Sequence, residues 1–132
     1  MSLLHQLGLK YNTDKSDSAH TFKKKSYCDI YDKYFLNIRN SVKTFVEIGI
    51  KNGASLSMWE EYFPNAIIYG IDIDPKCKVY EKGRIKCIIG DQNDEIFLKK
   101  IKKDIGEYDI LLDDGSHITS HQIKTFNFLY EN

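Results

Sequence analysis

The sequence predicts an α/β fold, a parallel sheet with helices on both faces, and two observations carry that prediction. Short apolar, β-branched runs recur along the chain: "TFVEI" (44–48), "AIIYGI" (66–71), "IKCII" (85–89) and "YDILL" (108–112). Stretches with helical spacing alternate with these runs. Strands buried on both faces read as continuous apolar runs, and parallel strands need crossovers, which are right-handed. A length of 132 residues suits one domain around a single core.

The elements follow in order. Residues 1–40 differ from the rest. Lys10 to Ser26 is polar and aperiodic and reads as a loop. Tyr27, Ile30, Tyr31, Tyr34 and Phe35 then form one apolar stripe of a helix over 27–37. Ser26, with Asp29 three residues on, resembles a capping box. Within "SLSMWEEYF", Leu56, Trp59 and Phe63 share a face, and Pro64 closes the helix. "DEIFLKKIKKDI" places Ile96, Phe97, Lys100, Ile101 and Ile105 at helical spacing, with Asp94 and Glu95 at the start, where the helix dipole favours acids. Ile123, Phe126 and Tyr130 mark a last helix, with Thr119 or Ser120 as its cap. There is no internal repeat.

Composition narrows the function. Hydrophobic residues make up 42% and charged residues 29%, an ordinary globular balance. A formal net charge of zero argues against a nucleic-acid or membrane partner. The run Lys23-Lys24-Lys25 reads as solvated surface. No apolar stretch approaches the ~20 residues of a membrane span, and no signal-peptide core is visible, so a cytoplasmic location is expected. Cys28, Cys77 and Cys87 are odd in number and lack C-x-x-C spacing, which argues against disulfides and zinc. Cys87 reads as a small core residue.

Ligands of open α/β sheets bind beyond the carboxyl ends of the strands. The residues there are Glu47, Gly49 and Gly53 after the first run, Asp72 and Asp74 after the second, Asp91 after the third, and Asp113 and Asp114 with His117 after the fourth. Each alone has a plain structural reading. The glycines fit strand-to-helix turns, Asp74-Pro75 starts a turn, and Asp91 fits a helix cap. Acids at four consecutive strand ends make a ligand constellation. Gly49 and Gly53, with Lys51 between, do not fit G-x-G-x-x-G, and no phosphate-binding loop is present. Carboxylates suit ribose hydroxyls, amines and an adenine amino group, and they repel phosphate.

"FVEIGIKNGASLSMWEEYFPNAIIYGIDIDP", "GDQND" and "DILLDDGSH" together resemble the class I S-adenosylmethionine-dependent methyltransferases. More narrowly, they resemble the metal-dependent sugar O-methyltransferases that act on macrolide antibiotics, with the cephalosporin-hydroxylase-like and rhamnosyl O-methyltransferase group. "NTDKSDSAHTFKKKSYCDIYDKYF" is similar to that group's T-D-K…H…Y-x-x-x-Y lead-in. The resemblance implies a Rossmann-like methyltransferase fold, truncated after the fourth strand and its helix. Residues 1–40 would form a loop and helix serving as a lid, and 41–132 a cofactor-binding half-domain.

The resemblance also implies roles. Glu47 and Gly49 would face the methionine part of S-adenosylmethionine, with Glu47 near its ammonium, and Gly53 would also belong to the cofactor-binding residues. Asp72 would hold the ribose hydroxyls. Asp91 would accept from the adenine amino group, with Gln92 beside it. Asp113 would lie at the cofactor, and Asp113 or Asp114 would hold a divalent metal such as Mg²⁺. His117, beside Asp114, would be the general base on a sugar hydroxyl of a small-molecule or glycan substrate. A hard cation takes oxygen ligands and lowers a hydroxyl's pKa, and a histidine can remove a proton near neutral pH. His117 also fits a helix cap. His121 could face the same cleft, His20 could belong to the lid, and His5 reads as surface.

Two features depart from the family pattern. Lys51 stands where a glycine is common. The family's sheet has seven strands and takes further metal ligands after the fifth, whereas this chain stops after the fourth. Weak metal binding and slow turnover are therefore expected. An unpaired fourth-strand edge favours homo-oligomers. A nucleoside- or S-adenosylmethionine-binding module without turnover is the alternative; an NAD-linked oxidoreductase fragment is disfavoured by the glycine spacing.

Overall fold

A computed structural model describes residues 1–16, 21–22 and 25–130. Thr21–Phe22 (β1) and Lys25–Ser26 (β2) pair as a small antiparallel hairpin. The main sheet comprises β3 (Thr44–Ile48), β4 (Ile67–Asp72), β5 (Ile85–Ile89) and β6 (Ile110–Asp113), all parallel, in the order β5-β4-β3-β6. The chain steps outward from β3 to β5, then returns to add β6 on the far side of β3. That reversal opens a crevice between the carboxyl ends of β3 and β6.

Side chains alternate across a strand, so both faces of the sheet are apolar. Phe45 joins one core and Val46 and Ile48 the other. The first face is covered by α1 (Leu3–Lys10), α2 (Tyr27–Phe35) and α3 (Ala54–Tyr62). Its core is aromatic, with the Phe45 and Trp59 ring centroids 4.7 Å apart and those of Phe45 and Phe63 5.2 Å apart. The second face is covered by α4 (Glu95–Ile105) and by the segment after α5 (Thr119–Thr125). Leu98, Ile101 and Leu129 there meet Val46, Ile48 and Ile71.

The N-terminal residues are part of the first core. The sequence reading assigns no element to residues 1–9, yet α1 forms, because its short helix is held by packing rather than propensity. Ser2 caps α1 by accepting from the His5 N–H at 3.1 Å, and Leu4 and Leu7 are buried. His5, expected at the surface, is largely covered. Its Nδ1 lies 2.7 Å from Ser26 Oγ and 3.0 Å from Asp29 Oδ2. The capping box at Ser26 is complete, and α2 ends two residues before the expected 37. Asp32 accepts from the Leu4 N–H at 3.2 Å and the Tyr62 hydroxyl at 3.0 Å, tying all three helices together.

The second face departs more from expectation. Asp94 caps α4, accepting from the Ile96 and Phe97 N–H groups at 2.9 and 3.3 Å. Leu98 and Ile101 point inward, but Ile96 is 81% exposed, because it lies off the stripe those two define. α5 is preceded by Ile118, not capped by Thr119 or Ser120, and has no side-chain cap. Phe126–Tyr130 winds as a π-helical turn. The expected stripe stays together but lies outward: Thr125, bonded to Gln92, and Leu129, packed in the core, define the inward face, while Ile123, Phe126 and Tyr130 face outward. β6 starts at Ile110 rather than Tyr108, because the Asp109 carboxylate accepts from the Lys43 and Thr44 N–H groups at 2.7 and 3.0 Å.

All three cysteines are buried and free, as expected, and burial pushes the Cys28 and Cys77 thiols up to about 11. No helix among the described residues is long and apolar enough to cross a membrane. His20, Lys23 and Lys24 lie outside the described residues.

Candidate functional site

The crevice is shaped by a close backbone crossing. Gly49 leaves β3 with φ of 87°, and a Cβ there would sit 2.2 Å from the Asp114 carbonyl oxygen. Only glycine meets both demands. The Asp114 N–H closes the other side, donating to the Ile48 carbonyl at 2.8 Å. Gly53, with φ of 75°, starts α3 against the Tyr80 ring, where a Cβ would lie 2.5 Å from that ring. Its freedom serves that turn and not an open cavity.

A cavity of about 300 Å³ opens at the crevice, and its walls include Gly49, Lys51, Asp72, Asp91, Gln92 and Asp114, drawn from all four strand ends. Asp72 Oδ2 accepts from the Ile50 and Lys51 N–H groups at 2.9 and 3.2 Å, and its Oδ1 accepts from the Asp74 N–H at 3.0 Å. This carboxylate therefore fixes the loop after β3 while keeping an edge in the cavity. Asp74 caps the 3₁₀ turn Pro75–Tyr80, accepting from the Lys76 N–H at 2.9 Å, the turn-starting role expected of it. Asp91 is exposed and accepts from the Asn93 N–H at 2.8 Å.

Gln92 is buried and its amide is committed. Its Nε2 donates to Asp113 Oδ2 at 3.1 Å and to Thr125 Oγ1 at 3.0 Å, and its Oε1 accepts from the Ser116 N–H at 2.9 Å. It latches the end of β5 to the end of β6 and to α5. Asp113 is the latch's partner and also accepts from the Gly115 N–H at 3.1 Å. It opens onto a different cleft, about 1130 Å³, at the β6 edge.

The adjacent aspartates thus diverge. Asp114 Oδ2 lies 3.0 Å from Lys15 Nζ, and its Oδ1 lies 3.4 Å from His117 Nε2. His117 sits in the left-handed region at φ of 61° with its side chain 63% exposed. His121 lines the 300 Å³ cavity and pairs its Nδ1 with Ser116 Oγ at 2.9 Å. Among the described residues, no three His, Cys, Asp or Glu side chains gather in a way that could hold a metal ion.

Glu47 is fully buried. It accepts from the Ser55 hydroxyl and from Trp59 Nε1, the latter at 2.8 Å, and Lys15 Nζ lies 3.6 Å from its Oε2. Burial pushes its carboxyl above the ordinary range, and the Lys15 ammonium works against that rise. Lys15 itself sits on the 3₁₀ turn Asp14–Ser16. Burial opposes its charge, but Glu47 and Asp114 outweigh burial and hold its pKa above the ordinary value.

Comparison with known proteins bears on this arrangement. No family model matches the chain. The mycinamicin VI 2''-O-methyltransferase of Micromonospora griseorubida is 40% identical over 134 residues, covering 96% of this chain and 32% of the relative. The demethylmacrocin O-methyltransferase of Streptomyces fradiae is 37% identical with the same coverage. A rhamnosyl tetracenomycin-C 2'-O-methyltransferase of Streptomyces olivaceus is 34% identical. The solved MycE methyltransferase from the mycinamycin biosynthetic pathway, in complex with Mg and SAH, superposes with a TM-score of 0.84 at 36% identity, covering 96% of this chain and 33% of that one. The chain is a homologue of sugar O-methyltransferases. It spans about a third of the length of the relatives it matches. Its sheet is the Rossmann-like sheet of that fold.

For a homologue of these enzymes, sequence reasoning located the strand-end acids but missed Lys15. The T-D-K string that holds it, Thr13 to Lys15, was visible, yet it lies in a stretch that reads as solvated loop. A lysine in a polar run gives no sign that it will be buried against two acids from distant strand ends.

Proposed function

We propose that the chain forms the S-adenosylmethionine-binding part of an O-methyltransferase whose acceptor is a sugar or glycoside hydroxyl. The observation that carries this reading is the 300 Å³ cavity, which brings Gly49, Asp72 and Asp91 together at the reversal of a parallel sheet. In this reading the nucleoside fills that cavity. Asp72 accepts the ribose hydroxyls and Asp91 the adenine amino group. The bare Gly49 lets the cofactor's chain pass, with Glu47 and Asp114 supplying negative charge for its ammonium. Gly53, Gln92 and Asp113 support the walls, since their own contacts engage them there.

His117 is the proton acceptor of this reading. Its exposed imidazole can reach a hydroxyl brought to the rim, and Asp114 Oδ1 at 3.4 Å stabilises the imidazolium that results. A solved relative is complexed with Mg. Mg²⁺ asks for near-octahedral oxygen coordination, and Asp113 and Asp114 turn away from each other, with Lys15 on one oxygen of Asp114. The described residues do not assemble such a set, so no step is assigned to a metal. We expect weak metal binding and slow turnover by this chain. The same reading places the protein in the cytoplasm with a small-molecule partner, neither nucleic acid nor membrane, and assigns the open β6 edge to self-association.

Titration of S-adenosylhomocysteine into the protein and into Asp72→Ala tests the reading. Charge-assisted bonds are worth about 1.5–3 kcal/mol, so affinity should fall roughly tenfold to a hundredfold. Unchanged affinity would reject Asp72 as the ribose acceptor. In single-turnover methyl transfer to a glycoside, His117→Ala should slow the chemical step by about 10² to 10⁴ while cofactor affinity holds.

A further inference from the structure

Lys15 has no part in the chemistry above, yet only 5% of it is exposed. A charged side chain in that position is retained only with partners. Its Nζ lies 3.0 Å from Asp114 Oδ2, 3.6 Å from Glu47 Oε2 and 4.0 Å from Asp14 Oδ1. Glu47 is the last but one residue of β3 and Asp114 follows β6, so one ammonium joins the N-terminal turn to both lips of the crevice. Pairing at Asp114 Oδ2 also fixes the rotation of that carboxylate, which leaves Oδ1 toward His117.

The position of Lys15 relative to the cavities gives this a direction. Lys15 is not among the residues around the 300 Å³ cavity; it borders another cavity, of about 850 Å³, that also reaches Gly49. The two cavities share Gly49, Lys51 and Asp114. A nucleoside in the smaller cavity that carries a chain past Gly49 brings the end of that chain beside Lys15. Charges alternate there: Lys51 Nζ lies 3.3 Å from Asp14 Oδ2, Asp14 neighbours Lys15, and Lys15 neighbours Asp114. Such an arrangement matches a zwitterion, which carries one ammonium and one carboxylate.

We propose that Lys15 is a positioning residue for the amino-acid end of an S-adenosyl ligand. By holding Asp114 and Glu47 on a single ammonium, it gives the site its preference for a nucleoside with a zwitterionic tail over the same nucleoside without one. The inference rests on the functional reading above. It adds a residue that acts through Asp114 and Glu47.

The test compares S-adenosylhomocysteine with 5′-methylthioadenosine, which keeps the nucleoside and sulfur but lacks the amino-acid end. Both are titrated calorimetrically into the unsubstituted protein, Lys15→Met and Lys15→Gln. The last keeps an N–H donor without the charge and serves if Lys15→Met fails to fold. Affinity for S-adenosylhomocysteine should fall about tenfold or more, and affinity for 5′-methylthioadenosine should stay within about twofold. General damage to the fold would weaken both ligands alike. Equal losses for the two ligands, or no loss for either, in a folded variant would overturn the role of Lys15 alone. If the unsubstituted protein bound neither ligand, the functional reading would fall, and this inference with it.

Discussion

Against β3, Trp59, Phe45 and Phe63 are fully buried, whereas beside β6 Ile123, Phe126 and Tyr130 are 55%, 51% and 67% exposed. The first region is covered by α1, α2 and α3. The second has α4 and the π-helical end of α5 on one face, and β6 pairs only with β3 among the described residues. The difference teaches where the site gets its rigidity. Glu47 is held from the closed side by Trp59 and Ser55. Asp113 is held from the open side by Gln92, which itself depends on Thr125 of α5. The apolar surface beside β6 lies next to a strand edge that has no partner among the described residues.

This contrast can be broken by substitution. The largest effect is expected at Trp59. Its replacement by alanine removes a fully buried ring and one donor to a fully buried carboxylate, and should cost about 3–5 kcal/mol in urea unfolding. A loss under about 1 kcal/mol would mean that the aromatic core is not the keystone of the closed face.

A smaller effect is expected at the capping box. Ser26→Ala should cost about 1 kcal/mol. Burial works against the charge of Asp29, but bonds from Ser2, His5 and Ser26 hold its carboxyl well below the usual carboxylate range. A depressed carboxyl contributes stability above its unfolded value, near 3.8, and loses it as the pH falls through the folded value. The stability gap between the protein and Asp29→Asn should therefore be widest near neutral pH and narrow steadily below about pH 4. A gap that widened on acidification would contradict this assignment.

Much of the fold was legible because strands buried on both faces announce themselves. All four main strands fall within about two residues of the runs that predicted them, and the Ser26–Asp29 box is read from two letters. The rest depended on what local pattern does not encode. α1 is short and forms because Leu4 and Leu7 pack on other helices. The α5 stripe was read on the wrong face, because the bond from Gln92 to Thr125 and the packing of Leu129 turn Ile123, Phe126 and Tyr130 outward. At the site, the strand-end acids were legible through position alone, but their partners were not. That Gln92 would take up Asp113, or that Lys15 would hold Asp114 from 99 residues away, is decided by tertiary packing.

The smallest effect sharpens the open side. Ile123→Ser should change stability by no more than about 0.5 kcal/mol, as for an exposed position. A loss above about 1 kcal/mol that grows with protein concentration would show that another copy covers this face.

The central claim is that the strand-end acids select a ribose-bearing ligand with a charged amino-acid end over phosphates. Thermal unfolding of the unsubstituted protein in the presence of S-adenosylhomocysteine, ATP or NAD tests it directly. A ligand that binds only the native state raises the melting temperature by an amount that grows with the logarithm of its concentration above Kd. S-adenosylhomocysteine should raise it in a concentration-dependent way, and ATP and NAD should leave it unchanged. Equal shifts from all three, or a shift from ATP or NAD alone, would contradict the account.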